Sequence, residues 1–232
     1  MKVLRPGAPS PHILVAMTEQ ITPRQFHDAT GVEDWRVLFE GACAYFDSGS
    51  FAAGVELVDA IARLADAANH HPDVDLRYAG VTVRLTTHSV GGLSERDVAL
   101  AQQISQAARE LGVAADPTAV QAVQVAIDAL VGPDVMPFWR AVLGYEEMGD
   151  EDLVDPHARG PSFWFQEMDA PRPQRNRIHI DVCVPHDQAE ARVARAIAAG
   201  GHLVSDENAP DWWTLADAEG NEVDVATLIG RG

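Results

Sequence analysis

The 232-residue chain is poor in cysteine, in basic side chains and in long apolar runs. Its two cysteines, Cys43 and Cys183, are far apart in the sequence, so we expect no disulfide framework and a reducing, cytoplasmic compartment. The chain has only 17 Lys and Arg residues but 35 Asp and Glu residues, which gives a formal net charge of −18. This negative charge disfavours nucleic acid and anionic membranes as partners. The apolar run ILVAM at 13–17 is too short to span a bilayer.

Residues 18–112 carry the pattern of an α+β domain, preceded by a proline-containing extension at 1–17 that we expect to be loosely ordered. Thr22-Pro23 is a typical helix opening, WRVLFEGACAYFD is strand-like, and two short strands are predicted on either side of Ala79-Gly80. A second helix is predicted over LSERDVALAQQISQAARELG. The helix in SFAAGVELVDAIARLADAANHH carries one apolar stripe, formed by Phe51, Val55, Val58, Ile61, Leu64 and Ala65. We therefore predict an antiparallel sheet with helices packed on one face.

A predicted linker at 113–118 separates this domain from a second one at 119–232. After the linker the pattern runs strand, helix, strands, and then repeats once. The first half holds VQVAIDAL, the helix VMPFWRAVLGY and the strand PSFWFQEM, and the second holds RIHIDVCV, the helix DQAEARVARAIAAGG and DWWTLADAEGNEVDVATL. This βαβββ-type repeat predicts a curved sheet built from two similar halves.

Histidines at the end of the first long helix form the main candidate site. The order is His70-His71-Pro72, then Tyr78, His88 and Asp97. Asp66 precedes His70 by four residues, within reach of an imidazole on the same helical face. The residues also allow other interpretations. A histidine pair at a helix C-terminus suits the helix dipole, Ser94-x-x-Asp97 is a capping-box pattern, and a three-histidine zinc site would lack a further ligand at a familiar spacing.

The complete run of an acidic residue, His-His-Pro, an aromatic residue, His and Asp resembles the signature of the pterin-4a-carbinolamine dehydratases. The resemblance covers 18–112 and includes the segment TTHSVGGLSERDVALAQQI. Two positions depart from the family pattern, since Asp66 stands where Glu is familiar and Asn69 replaces an acidic residue seen in some members.

This resemblance implies an enzyme that removes water from a 4a-hydroxytetrahydropterin by histidine acid/base catalysis and requires no cofactor. It implies that His70 and His88 are the acid/base residues, that His71 orients the pterin and that Asp66 fixes an imidazole. The pterin-binding positions that it implies are Asn69, Pro72, Tyr78, Thr87 and Asp97. It also implies a homo-oligomer, a dimer or a tetramer. A pterin-binding or dimerisation module without a main catalytic role is the alternative.

FWRAVLGYEEM, NRIHIDVCV and WTLADAEGNEVDV resemble segments of the glyoxalase-like, vicinal-oxygen-chelate superfamily, over 119–229. The metal enzymes of that superfamily place one ligand on each of four strands. Matching the motifs assigns Gln121, His179 and Asp224 to three ligand positions, and Gln166 or Glu167 to the remaining one. A divalent metal, and a main activity in this second domain, are therefore a further hypothesis, although a histidine on a polar strand face is more often simply hydrogen-bonded.

Overall fold

The computed structural model describes residues 19–39, 41–171 and 180–227 of the chain, which divides into two compact units, Met1–Ala122 and Val123–Gly232. Each unit has its own apolar core. Among the described residues, no helix is long and apolar enough to cross a membrane. The predicted extension at 1–17 lies outside the described residues.

The first unit is an antiparallel sheet that packs against helices, as predicted. The elements are α1 (Pro23–Asp28), β1 (Arg36–Leu38), β2 (Gly41–Asp47), α2 (Phe51–Ala68), β3 (Asp73–Leu76), β4 (Gly80–Leu85), α3 (Glu95–Glu110) and β5 (Ala114–Ala115). The strand order is β1-β2-β4-β3, and β5 pairs with the end of β2 that β1 leaves free. The stretch predicted as one strand, WRVLFEGACAYFD, is thus two paired antiparallel strands, in which Leu38 pairs with Gly41. The short strand β5 lies within the predicted linker.

The apolar stripe predicted for α2 is partly wrong. Phe51 and Val55 are 51% and 45% exposed, and the buried face instead follows Gly54, Leu57, Ile61 and Ala65. The reason is the close approach of the helix to the sheet at Gly54, where a Cβ would lie only 2.5 Å from Cδ1 of Leu76. Because glycine carries no side chain, the helix can rest there on β3 and β4, which turns Phe51 and Val55 outward.

Capping boxes mark the start of two helices of the first unit, α1 and α3. Thr22 accepts from the backbone N–H of Gln25, whose side chain bonds back to the N–H of Thr22. Ser94 and Asp97 form the corresponding pair at the start of α3, which confirms the predicted capping. The helix α3 ends as predicted, since Gly112 follows it with a φ of +72°.

The second unit confirms the predicted βαβββ repeat. The elements are β6 (Gln124–Ala129), α4 (Gly132–Leu143), β7 (Glu146–Met148), β8 (Asp152–Val154), β9 (Ser162–Glu167), β10 (Asp181–Cys183), α5 (Ala189–Ala198), β11 (His202–Ser205), β12 (Trp212–Ala216) and β13 (Glu222–Ala226). The described residues of this unit form two four-stranded sheets, ordered β6-β9-β8-β7 and β10-β13-β12-β11. Within the sheets, β6 pairs in parallel with β9, and β10 pairs in parallel with β13.

The turn between β12 and β13 ties the second half of this unit to the first. Asp217 is fully buried and accepts a hydrogen bond of 2.9 Å from the indole Nε1 of Trp139 in α4. The Glu219 carboxylate accepts from the backbone N–H groups of Leu130 and Val131, at 2.6 and 2.9 Å, just before α4 begins. The bond from Val131, the N-cap residue of α4, satisfies a donor that a helix start leaves without an internal partner.

Candidate active site

The histidine pair lies at a sharp change of chain direction where α2 ends. Asn69 closes the helix in a left-handed conformation, with φ 47° and ψ 43°, which asparagine tolerates better than most residues. The backbone N–H of His70 then bonds to the Ala65 carbonyl at 3.0 Å. After this turn the two neighbouring imidazoles make different contacts, one with a buried carboxylate and one with an exposed carboxylate.

His70 forms a buried hydrogen bond to Asp97. Its Nε2 lies 2.7 Å from Oδ1 of Asp97, and the two side chains are 7% and 0% exposed. Oδ2 of the same carboxylate accepts from the Thr87 hydroxyl at 2.6 Å and from the Ser94 backbone N–H at 2.7 Å. Both oxygens are therefore occupied as acceptors, which is the arrangement that a buried carboxylate requires.

This contact determines which nitrogen of His70 is available for chemistry. Because the Asp97 carboxylate accepts, Nε2 carries the hydrogen, and in the neutral ring Nδ1 keeps its lone pair. Within the described part of the chain, no hydrogen bond involves Nδ1 of His70. A ring held in this way can accept a proton at Nδ1, and the carboxylate stabilises the resulting cation.

His71 bonds to Asp66 instead. Its Nε2 lies 3.0 Å from Asp66 Oδ1, and both side chains are mostly exposed. The imidazole that Asp66 contacts is therefore that of His71, whereas the four-residue spacing had favoured His70. The spacing rule fails because α2 already ends at Ala68, so that His70 no longer follows the helical path.

Three further predicted site residues, Asn69, Pro72 and Thr87, are direct neighbours in sequence of the three histidines. Thr87 is buried and reaches Asp97, and His88 begins a short 3₁₀ turn directly after it with an exposed side chain. Pro72 is half-buried and leads into β3, while Asn69 is exposed at the helix end. The network centred on Asp97 therefore links the segment carrying His70 and His71 to the segment carrying Thr87 and His88.

Tyr78 lies apart from this group. The pairing of Asp73 with Arg84 and of Leu76 with Val81 places the start of β3 beside the end of β4, and Tyr78 at the opposite tip of the hairpin. Its side chain is 76% exposed. Within one chain the structure does not bring Tyr78 to the histidines.

Sequence reasoning missed Arg96, which contacts the histidine segment from the first turn of α3. Its Nη2 donates to the Asn69 carbonyl at 2.5 Å and approaches the Ala68 carbonyl at 3.5 Å. The capping-box pattern placed this turn correctly. No local pattern, however, indicates that an arginine 27 residues away would bind the end of α2.

Of the predicted metal ligands, the structure describes Gln121, Gln166, Glu167 and Asp224. Gln121 is exposed and precedes β6, and Glu167 is the last residue of β9, the parallel neighbour of β6. Asp224 is buried on β13, His179 lies outside the described residues, and Gln166 pairs with Asp128. No group of three or more His, Cys, Asp or Glu in the described ranges could hold a metal ion.

Comparison with known proteins divides the chain at the same place as the fold. Residues 18–107 match the family described as pterin 4 alpha carbinolamine dehydratase, and residues 124–226 match the family described as a glyoxalase-like domain.

Three relatives are similar to the first part. A protein of Nocardia farcinica, provisionally named as a pterin-4-alpha-carbinolamine dehydratase, is 41% identical over 93 residues, which are 40% of this chain and 98% of the relative. A Mycobacterium tuberculosis protein with the same provisional name is 47% identical over 91 residues, 39% of this chain and 94% of the relative. The crystal structure of a transcriptional coactivator/pterin dehydratase from Brucella melitensis is 25% identical, with a TM-score of 0.37, and the match covers 39% of this chain and 99% of that one.

Proposed function

Because the chain belongs, through residues 18–107, to the pterin 4 alpha carbinolamine dehydratase family and carries a glyoxalase-like domain at 124–226, we propose that it removes water from a 4a-hydroxytetrahydropterin. The observation that carries the proposal is the buried contact between His70 and Asp97, because it leaves one ring nitrogen available for proton transfer. The product is a quinonoid dihydropterin.

The reaction needs one proton donor and one proton acceptor. The bond between C4a and the hydroxyl oxygen breaks, and the hydroxyl leaves as water after it has gained a proton. A ring N–H loses its proton, and the electron pair of that bond forms the new carbon–nitrogen double bond. No electrons are exchanged with a second molecule, so the reaction needs no redox cofactor. Because imidazole groups can carry both proton transfers, we propose that it also requires no metal.

Two histidines supply these proton transfers. We assign them to His70 and His88, with Nδ1 as the working atom of His70, and each transfer contributes about 10²–10⁴-fold to the rate. His71, held by Asp66, orients the pterin at the exposed side of the pair. Asn69, Pro72 and Thr87 line the pocket, with the Thr87 hydroxyl acting through Asp97.

The decisive experiment compares the dehydration of 4a-hydroxytetrahydropterin by the wild-type protein and by the His70→Ala variant. We expect the variant to lose about 10²-fold or more in kcat. His186→Ala removes an exposed histidine from the second unit and serves as a matched control with wild-type kinetics. Equal rates for wild type and His70→Ala would refute the assignment. Treatment of the protein with a chelator should leave the wild-type rate unchanged.

Metal analysis of the same preparation addresses the alternative in which the second unit is a metal-dependent enzyme. We propose that the main activity lies in the first unit, because the buried contact between His70 and Asp97 lies there. A stoichiometric divalent ion bound to protein purified without added metal would favour that alternative.

The outer face of α2 supports self-association. Phe51 and Val55 lie one turn apart on this helix and are both exposed. Contiguous exposed apolar surface is typical of protein–protein contact sites. We therefore propose that the protein forms a homo-oligomer, a dimer or a tetramer, and that this face of α2 contributes to the interface.

A further inference from the structure

The peptide that joins Asn69 to His70 is held by a side chain from a different helix. Asn69 is one of the few described residues other than glycine with a positive φ, and it separates the α2 direction from that of the histidine pair. The Nη2 group of Arg96 donates to the carbonyl of this residue at 2.5 Å. The carbonyl belongs to the same planar peptide unit as the backbone N–H of His70, so the guanidinium restrains the orientation of that whole unit.

The contact also satisfies the end of α2. The last carbonyls of a helix have no N–H partners within it, and a cation near them interacts favourably with the helix dipole. No basic residue lies in the last turn of α2 itself. Arg96 fills this role from α3, with the Ala68 carbonyl at 3.5 Å as a second, longer contact.

Arg96 stands next to Asp97 in the first turn of α3, and the two residues hold different parts of His70. Asp97 bonds to the imidazole through Oδ1 at 2.7 Å, while Arg96 bonds to the peptide that carries it. The Ser94 capping box fixes this turn, since both the backbone N–H and the hydroxyl of Ser94 bond to Asp97 Oδ2. The first turn of α3 therefore holds both the ring and the backbone of His70.

We infer that Arg96 is a positioning residue of the dehydratase site, acting through the Asn69–His70 peptide on both histidines of the pair. It bonds to backbone oxygens, and no described carboxylate pairs with its guanidinium. Small displacements of a catalytic group lower the rate steeply, by as much as about 10²-fold for 1 Å. The inference rests on the proposed dehydratase function for its kinetic consequence and on the geometry alone for its structural one.

The test uses the full-length chain and three variants. Arg96→Gln removes the cation but keeps a polar side chain, and Arg96→Lys restores a cation that can reach the same carbonyls. Arg109→Gln is the matched control, because Arg109 lies in the last turn of α3 and bonds to Asp34 and Gln106 instead. We expect kcat to fall about tenfold in Arg96→Gln with a smaller change in KM, to recover in part in Arg96→Lys and to stay at the wild-type value in Arg109→Gln.

Amide hydrogen exchange at residues 69–71 provides a readout that does not depend on the reaction. In Arg96→Gln these amides should exchange faster than in the wild type, while amides in the middle of α3 keep their protection. Wild-type kcat together with wild-type exchange at 69–71 would overturn the inference. If the wild-type protein does not dehydrate the pterin, the proposed function fails, and the exchange measurement alone decides whether Arg96 positions the pair.

Discussion

Nε2 of His70 and Oδ1 of Asp97 are 2.7 Å apart inside the first unit, although the residues are separated by 27 positions in the chain. The bond joins the end of one helix to the beginning of the next. It gives Asp97 two simultaneous roles, as the capping partner of Ser94 and as the partner of an imidazole. The interpretation of Asp97 as a capping residue was correct, and the same carboxylate also bonds to a candidate catalytic residue.

Asp97→Asn is expected to lower both activity and stability. An amide at this position replaces one acceptor oxygen by an N–H donor, so at least one of the donors from His70, Thr87 and Ser94 loses its partner. We expect kcat to fall by at least about tenfold because the His70 tautomer is no longer fixed. The free energy of unfolding should fall by about 1–3 kcal/mol. Steady-state kinetics and urea titration measure the two effects. Asp187→Asn, which neutralises an exposed carboxylate of the second unit, is the control. An Asp97→Asn variant with wild-type values in both measurements would count against this role.

His71 and His88 should separate in their kinetic effects. His88→Gln removes a proposed proton-transfer group and should lower kcat by about 10²-fold with little change in KM. His71→Gln weakens the orientation of the pterin, so KM should rise more than kcat falls. Initial rates over a range of pterin concentrations distinguish the two. The opposite pattern would exchange the roles of these histidines.

Phe51→Glu should convert the oligomer to a smaller species. The side chain is half exposed in a single chain, so the charge costs little in the isolated fold but is costly when buried at an interface. Analytical ultracentrifugation gives the mass of each species. Phe39→Glu, at a position that is 69% exposed outside α2, is the control and should keep the wild-type mass. A wild-type mass for Phe51→Glu, or a monomeric wild type, would exclude this interface.

Trp139→Phe should destabilise the second unit selectively. The change keeps the aromatic ring but removes the Nε1–H donor to the fully buried Asp217. We expect a loss of about 1–3 kcal/mol in the free energy of unfolding, measured by native-state hydrogen exchange at residues of that unit. Trp35→Phe removes the corresponding bond to Ser105 in the first unit and should affect residues of that unit instead. Equal losses in both units for either variant would contradict the division into separate cores.

Asp155 should make the stability of the second unit depend on pH. Burial raises the pKa of its carboxyl, but hydrogen bonds from the backbone N–H groups of His157, Arg159 and Gly160 lower it by more, so that the pKa lies below its ordinary value. A group with a lowered folded-state pKa stabilises the fold above its unfolded-state pKa, and this contribution is lost as the pH falls through the folded-state value.

The Asp155→Asn variant should therefore be less stable than the wild type at neutral pH, with a difference that shrinks as the pH falls below the ordinary pKa of an aspartate. Denaturant titrations at a series of pH values measure this difference. A difference that stays constant with pH would show that the charge of Asp155 does not contribute.

Several features could be predicted from the sequence because they depend on local chemistry. The capping box at Ser94 follows from side chains three residues apart, and the helix start at Thr22 follows from the proline after it. The burial of Val81, Val83 and Leu85 follows from strand alternation. The βαβββ repeat is visible because the change from strand to helix periodicity occurs twice in the same order.

The contacts that shape the site depend on the path of the chain after each element. The four-residue spacing predicted a contact between Asp66 and His70. The helix ends before His70, at the left-handed Asn69, and His71 bonds to Asp66 instead. The stripe on α2 was misplaced because the helix rests on the sheet through Gly54, a contact that the apolar pattern does not record. The hydrogen bonds of Arg96 connect two helices, and no periodicity within either helix indicates them.

The bonds that Glu219 makes to the start of α4 have a consequence for biosynthesis. Leu130 and Glu219 are 89 positions apart, so a ribosome makes the helix start long before its acceptor exists. At ordinary elongation rates the interval is on the order of 5–20 s. During that time the N–H groups of Leu130 and Val131 and the indole of Trp139 lack their native partners. The first half of the unit therefore acquires its complete set of native hydrogen bonds only after the last hairpin of the second half has been synthesised.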